Sequence, residues 1–126
     1  MTPSDPVLPL LVFEAADCLM AVPASEVAEL DAGLHTYKKK GQTPFFDLGE
    51  YFGSRESDGP WLRWARGTSS AWLRVRRVID VVPVTLALLT PMPAVFKARK
   101  PSRAFLAAGL RGDEVFLLLD PARLTQ

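Results

Sequence analysis

The chain has one cysteine and one histidine in 126 residues, Cys18 and His35. A single cysteine excludes an intramolecular disulfide, and a cytoplasmic home is the natural expectation for such a chain. Zinc sites draw on clustered cysteines and histidines, and one of each is too few. A Cys18/His35 dyad is formally possible. Cys18, however, sits in an apolar run where a small side chain fits, which marks a structural thiol, and His35 in its polar stretch reads as solvated. Long hydrophobic runs are scarce too. The most apolar stretch, 78–95, contains Asp80, Pro83, Pro91 and Pro93. It lacks the roughly 18 uninterrupted apolar residues of a membrane span, so no membrane insertion is expected. The opening MTPSDPVLP has neither a basic start nor an apolar core. No secretory signal is expected there, and residues 1–7 read as a flexible tail. A glycine-rich phosphate loop is also missing, because GTSS at 67–70 has no lysine or helix behind it. These absences point away from an enzyme and from any cofactor or metal.

Charge is the next thing in short supply overall, at net +1. Nothing global therefore favours nucleic acid, and none is expected as a partner. The distribution is uneven. Residues 1–60 hold ten acids and four bases, residues 61–103 hold one acid and nine bases, and residues 104–126 hold three acids and two bases. Such asymmetry marks either an interaction surface or arginines decorating the wet face of strands.

What the chain has in abundance is short apolar runs divided by turn residues; 48% of it is hydrophobic. LPLLVFEA (8–15) and CLMAVP (18–23) flank a tight Ala-Asp turn and read as an opening hairpin. SEVAEL (25–30) has Val27 and Leu30 in register, and the glycine-bounded polar stretch 31–42 reads as a loop. PFFDL (44–48) is a short strand, followed by one helical turn closed by Gly53. WLRWAR (61–66) and AWLRVRRV (71–78) form a second hairpin around 67–70, with VVPV (81–84) ending the ladder. Alternation in the second of these strands places Ala71, Leu73 and Val75 on one face and Trp72, Arg74 and Arg76 on the other. Residues 90–102 are proline-rich and basic, hence a connector. AFLAAGL (104–110) and VFLLLD (115–120) form the last hairpin across a Gly-Asp turn, and PARL (121–124) starts a helical turn with proline. The pattern is mostly β, as in a small barrel or sandwich.

One phrase is written twice. PFFDLGEYF (44–52) and FLLLDPARL (116–124) each run from large apolar residues through an aspartate into a short segment of helical spacing. Asp47 and Asp120 suit capping of the turns that follow them. This arrangement resembles the CheW-like domain of chemotaxis coupling proteins. PFFDLGEYFG is similar to the family's PVIDLRKRLG segment, and FLAAGLRGDEVFLLLDPARL to its closing hairpin and terminal helix. LVFEAADCLMAVPASEVAEL resembles its opening hairpin, AWLRVRRVIDVVPV its VDxV strand, with Arg76 at the aspartate's place, and LLTPMP its crossover. The resemblance covers nearly all of 8–124. It departs at YKKKGQTP, where Lys40-Gly41 stands in for an arginine-glycine turn, and at DAGLHTY, which replaces a longer apolar strand.

The resemblance implies two intertwined SH3-like five-stranded β-barrel lobes with short terminal helical turns. The first lobe would lie mainly in 20–60 and the second mainly in 61–112, with the terminal segments crossing between them. The first barrel is expected to be the degenerate one, with 31–43 its most mobile stretch. The implied function is a signalling adaptor that binds the regulatory domain of a CheA-type histidine kinase, with a methyl-accepting chemoreceptor tip as a further partner. Its groove would be lined by Val22, Pro23, Val27, Leu30, Lys40 and Gly41. A second candidate surface comes from the residues themselves: Arg63, Trp72, Arg74 and Arg76 on an outward strand face, residue types enriched at protein hot spots. Two alternatives remain open. One is a specialised or decayed CheW-like protein with a different partner, which the altered YKKKG turn favours. The other is a nucleic-acid-binding small barrel using the basic, aromatic face of 61–77.

Overall fold

The two opening strands, β1 (Val7–Ala15) and β2 (Cys18–Pro23), are joined by Ala16 and Asp17, both in the left-handed region at φ 52° and 62°. Two such residues match the right-handed twist of a tight hairpin. A computed structural model describes residues 6–31, 43–97 and 102–125 of the chain. Pro6 and Val7, expected in the tail, already belong to the fold: Leu86 N–H donates to Pro6 O, and Val7 pairs with Thr85. The expected loop 31–43, including Lys40 and Gly41, lies outside the described residues except for its two ends.

The remaining strands are β3 (Val27–Asp31), β4 (Phe45–Asp47), β5 (Trp61–Arg66), β6 (Ser69–Arg74), β7 (Arg77–Thr85), β8 (Thr90–Pro91), β9 (Phe105–Arg111) and β10 (Glu114–Leu119). Single helical turns α1 (Leu48–Tyr51) and α2 (Ala94–Lys97) interrupt them, and a 3-10 turn spans Pro121–Thr125. The architecture is mostly β, in two sheets. The larger has strand order β7-β1-β2-β10-β9-β8 and the smaller β3-β5-β6-β4. Among the described residues the division is thus six and four strands, not five and five.

The doubled phrase is a structural repeat. β4 pairs with β6 in parallel, and β10 pairs with β2 in parallel; every other pairing among the described residues is antiparallel. Each phrase therefore lays a parallel strand on its sheet and turns at an aspartate. Asp47 accepts from Glu50 N–H, and Asp120 accepts from Ala122 N–H. The two turns also meet, since Tyr51 Oη donates to Leu124 O at 3.1 Å.

The apolar runs of β1, β2 and β10 do not alternate with polar residues because these strands are covered on both faces. Leu10, Val12, Ala21, Phe116 and Leu118 pack inside the curl of the large sheet. Phe13, Ala15, Met20, Val22 and Leu119 point the other way, against Leu62, Trp64, Leu73 and Val75 of the small sheet. Two-sided burial is what continuous apolar strands signify.

Two sequence expectations fail here. Residues 71–78 are not one strand: β6 stops at Arg74, and β7 restarts at Arg77 in the other sheet. Val75 N–H donates to Pro60 O and Arg76 N–H to Glu14 O, so the chain steps from one sheet to the other. The step passes directly over Gly59, where an added Cβ would stand 2.0 Å from Arg76 O and 2.4 Å from Val75 O. Consequently the lobe boundary does not fall at 60/61. β5 and β6 sit with β3 and β4, and the change of sheet comes at 75–76.

Candidate partner-binding surfaces

The strand face proposed from alternation is closed rather than exposed. Trp72 does point away from Leu73, but it is only 4% exposed. Its ring stacks on Phe45 with centroids 6.1 Å apart, and Phe45 in turn meets Trp61 edge-on at 5.5 Å. Arg74 lies over the Trp61 ring at 5.7 Å, donates through Nε to Gly59 O and faces Glu56 at 3.6 Å. Arg63 pairs with Glu29 across the β3–β5 ladder at 3.0 Å. The outer face of the small sheet is therefore a second, aromatic layer, and its arginines are already engaged. Arg76 does not share that face. It lies past the end of β6, exposed, beside a polar cleft lined by Asp17, Ser57 and Asp58.

The groove residues divide. Val22 is wholly buried in the core between the sheets and offers nothing to a partner; it alternates with Ala21, and both faces of β2 are covered. Pro23 and Val27 are half-buried, and Leu30 is 59% exposed on β3. Lys40 and Gly41 lie outside the described residues.

Beside Val27 the structure assembles a polar cluster that spacing alone did not reveal. Val27 pairs with Trp64, whose Nε1 donates to Glu26 Oε1 at 2.8 Å. Arg66 lies over the Trp64 ring at 5.1 Å, donates to Asp120 Oδ1 at 2.8 Å and reaches Glu26 at 3.9 Å. One guanidinium thus ties the hairpin of the small sheet to the terminal turn of the large one. A cleft of about 280 Å³ opens beside it, lined by Pro44, Trp64, Ser70 and Pro121 among others.

An uncovered apolar surface lies elsewhere, between β7 and β9 of the large sheet. Pro83 to Thr85 of β7 face Gly109 and Leu110 of β9 across a gap of about 300 Å³, capped by Leu88. Leu88 is 76% and Leu110 65% exposed, with Val81, Leu86 and Val115 also exposed. The sequence signal was present, since Leu110 and Val115 flank the Gly-Asp turn, but each looked like an ordinary strand residue.

Cys18 is half-buried, and its thiol pKa is pushed up by burial first and then by the carboxylates of Asp17 and Glu14. Such a thiol is a poor nucleophile at neutral pH. Among the described residues no three histidine, cysteine, aspartate or glutamate side chains gather as metal ligands, and no helix is long and apolar enough to cross a membrane. His35 lies outside the described residues.

No family model matches the chain, and no curated protein matches it. Among solved structures it is similar to the scaffolding protein TtCheW from Thermoanaerobacter tengcongensis, with a TM-score of 0.69 at 20% identity, over 89% of this chain and 88% of that one. The likeness extends over nearly the whole of both chains: the fold of this protein is CheW-like.

Proposed function

We propose that this protein is a signalling adaptor that binds the regulatory domain of a CheA-type histidine kinase through protein–protein contacts alone. The observation that carries the reading is the CheW-like fold over 89% of the chain. The apolar patch around Leu88 and Leu110 supports it, because an adaptor must present apolar surface for a partner to bury. A chemoreceptor tip is the second partner in this reading, docking over the accessible residues among those the resemblance assigns to a groove, Pro23, Val27 and Leu30.

The test is calorimetric titration of the protein against the kinase regulatory domain of the same organism. Saturable binding in the micromolar range or tighter is the expected outcome. With both partners folded, no heat at high micromolar concentration overturns the kinase-adaptor reading and leaves a CheW-like protein with another partner. The nucleic-acid alternative loses the feature that suggested it. Trp72 is buried, and Arg63 and Arg74 are paired with Glu29 and Glu56, so 61–77 presents no stacking platform for bases. A salt-dependent shift of a labelled oligonucleotide would restore it.

A further inference from the structure

Among the described residues β7 ends the large sheet and runs nine residues, with Asp80, Val81 and Pro83 exposed. A long, exposed edge strand is a template for pairing with another chain. In its regular stretch β7 pairs with β1 as Val12↔Asp80, Leu11↔Val81, Leu10↔Val82, Pro9↔Pro83 and Leu8↔Val84. The opposed prolines have no N–H to exchange, so 9↔83 occupies a non-hydrogen-bonded place in the ladder. Antiparallel ladders alternate. The groups at 82 thus point inward to β1, while the backbone nitrogens of Val81, Pro83 and Thr85 point away from β1, those at 83 and 85 on the side of the seam shared with Gly109 and Leu110.

Two of those three outward positions cannot accept a new strand. Pro83 has no hydrogen to donate. The Val81 N–H is already taken, because it donates to the Oδ1 of its own neighbour Asp80 at 2.8 Å. That carboxylate also lies along the edge, where an arriving strand would place its own carbonyl oxygens. We propose that Asp80 and Pro83 form an edge block that keeps β7 from pairing antiparallel with β7 of a second copy of this chain. The occupant excluded is another copy because identical edges pair isologously, each supplying the donors and acceptors the other lacks. Val81, 50% exposed, and Pro83 would be buried in such a pair. With the block in place, the apolar seam beside β7 is open to side chains of a partner but closed to strand addition.

The test is sedimentation velocity over a range of concentrations on the full chain, three single variants and one double variant. Asp80→Ala removes the acceptor and the charge. Asp80→Asn keeps an oxygen that can hold the Val81 N–H. Pro83→Thr restores a donor and leaves Asp80 in place. Expected are concentration-dependent dimers or larger species for Asp80→Ala and for Pro83→Thr, a greater effect in the double variant Asp80→Ala/Pro83→Thr, and less association for Asp80→Asn than for Asp80→Ala. Circular dichroism checks that each variant is folded, and Pro83→Thr carries the test if Asp80→Ala is not. Folded variants that sediment as the parent does at every concentration overturn the proposal. So does association as strong with asparagine as with alanine, since charge alone would then set the behaviour. The readout does not involve the kinase, so its failure is separate from failure of the adaptor reading.

Discussion

Trp72 shows how far one side chain can depart from the role its position suggests. On a strand that alternates, it belongs to the outward face, yet it is buried against Phe45 in an aromatic layer that also holds Trp61. Removing it empties a large volume, so Trp72→Ala should cost on the order of 3 kcal/mol or more of stability. Urea denaturation reads this as a lower midpoint at unchanged slope. A loss of 0.5 kcal/mol or less would return Trp72 to the surface. Cys18 makes the second residue-scale prediction. Its thiol pKa is raised by burial and by Asp17 and Glu14, so less thiolate is present at neutral pH than for a free cysteine. Alkylation by iodoacetamide at pH 7 should be slower than for a cysteine-containing peptide, and should climb steadily as pH passes above the ordinary thiol range. A rate equal to that of the peptide would contradict the assigned environment.

Elements were legible wherever the chain punctuates itself. Ala16-Asp17 and Gly112-Asp113 mark their hairpins, and Gly67-Thr68 marks the third. Asp47 and Asp120 mark the two helical turns, because a carboxylate placed at a strand end has nearby backbone N–H groups to satisfy. The break between β6 and β7 was not legible. Ala71, Leu73 and Val75 keep perfect alternation up to the point where the chain leaves its sheet. What interrupts them is a tertiary contact with the 54–60 segment, sixteen residues upstream of Val75 at Gly59. Gly59→Ala should therefore be far more costly than a loop substitution usually is, by about 1–3 kcal/mol or more, since the obstructing atoms are backbone carbonyls that cannot rotate aside. Thermal unfolding would detect a fall of several degrees; an unchanged midpoint would show that the crossing has room. Of the residues the resemblance assigns to a groove, Leu30 is exposed and Val22 is buried. The cluster of Glu26, Trp64, Arg66 and Asp120 was not legible in the sequence, because its members come from three separate segments, with only Trp64 and Arg66 sharing a strand.

At the scale of the whole molecule, the open seam of the large sheet and the kinase reading can be tested together. If the Leu88/Leu110 patch is where the regulatory domain docks, Leu110→Asp should weaken binding by about 2 kcal/mol, roughly thirtyfold in Kd. It should leave the melting temperature near that of the parent, because the side chain is 65% exposed. Undiminished affinity in calorimetry would move the docking surface elsewhere on the fold. The parallel pairing of β10 with β2 has a consequence of another kind. Phe116 lies opposite Leu19 and Leu118 opposite Ala21, so the central ladder of the large sheet joins residues almost a hundred positions apart. Closing so long a loop slows folding. During synthesis the β1–β2 hairpin emerges early and then waits, one apolar edge uncovered, until nearly all of the remaining sequence has left the ribosome. For that interval the nascent chain holds an apolar strand edge with nothing yet paired to it, and a chaperone has its best reason to be there.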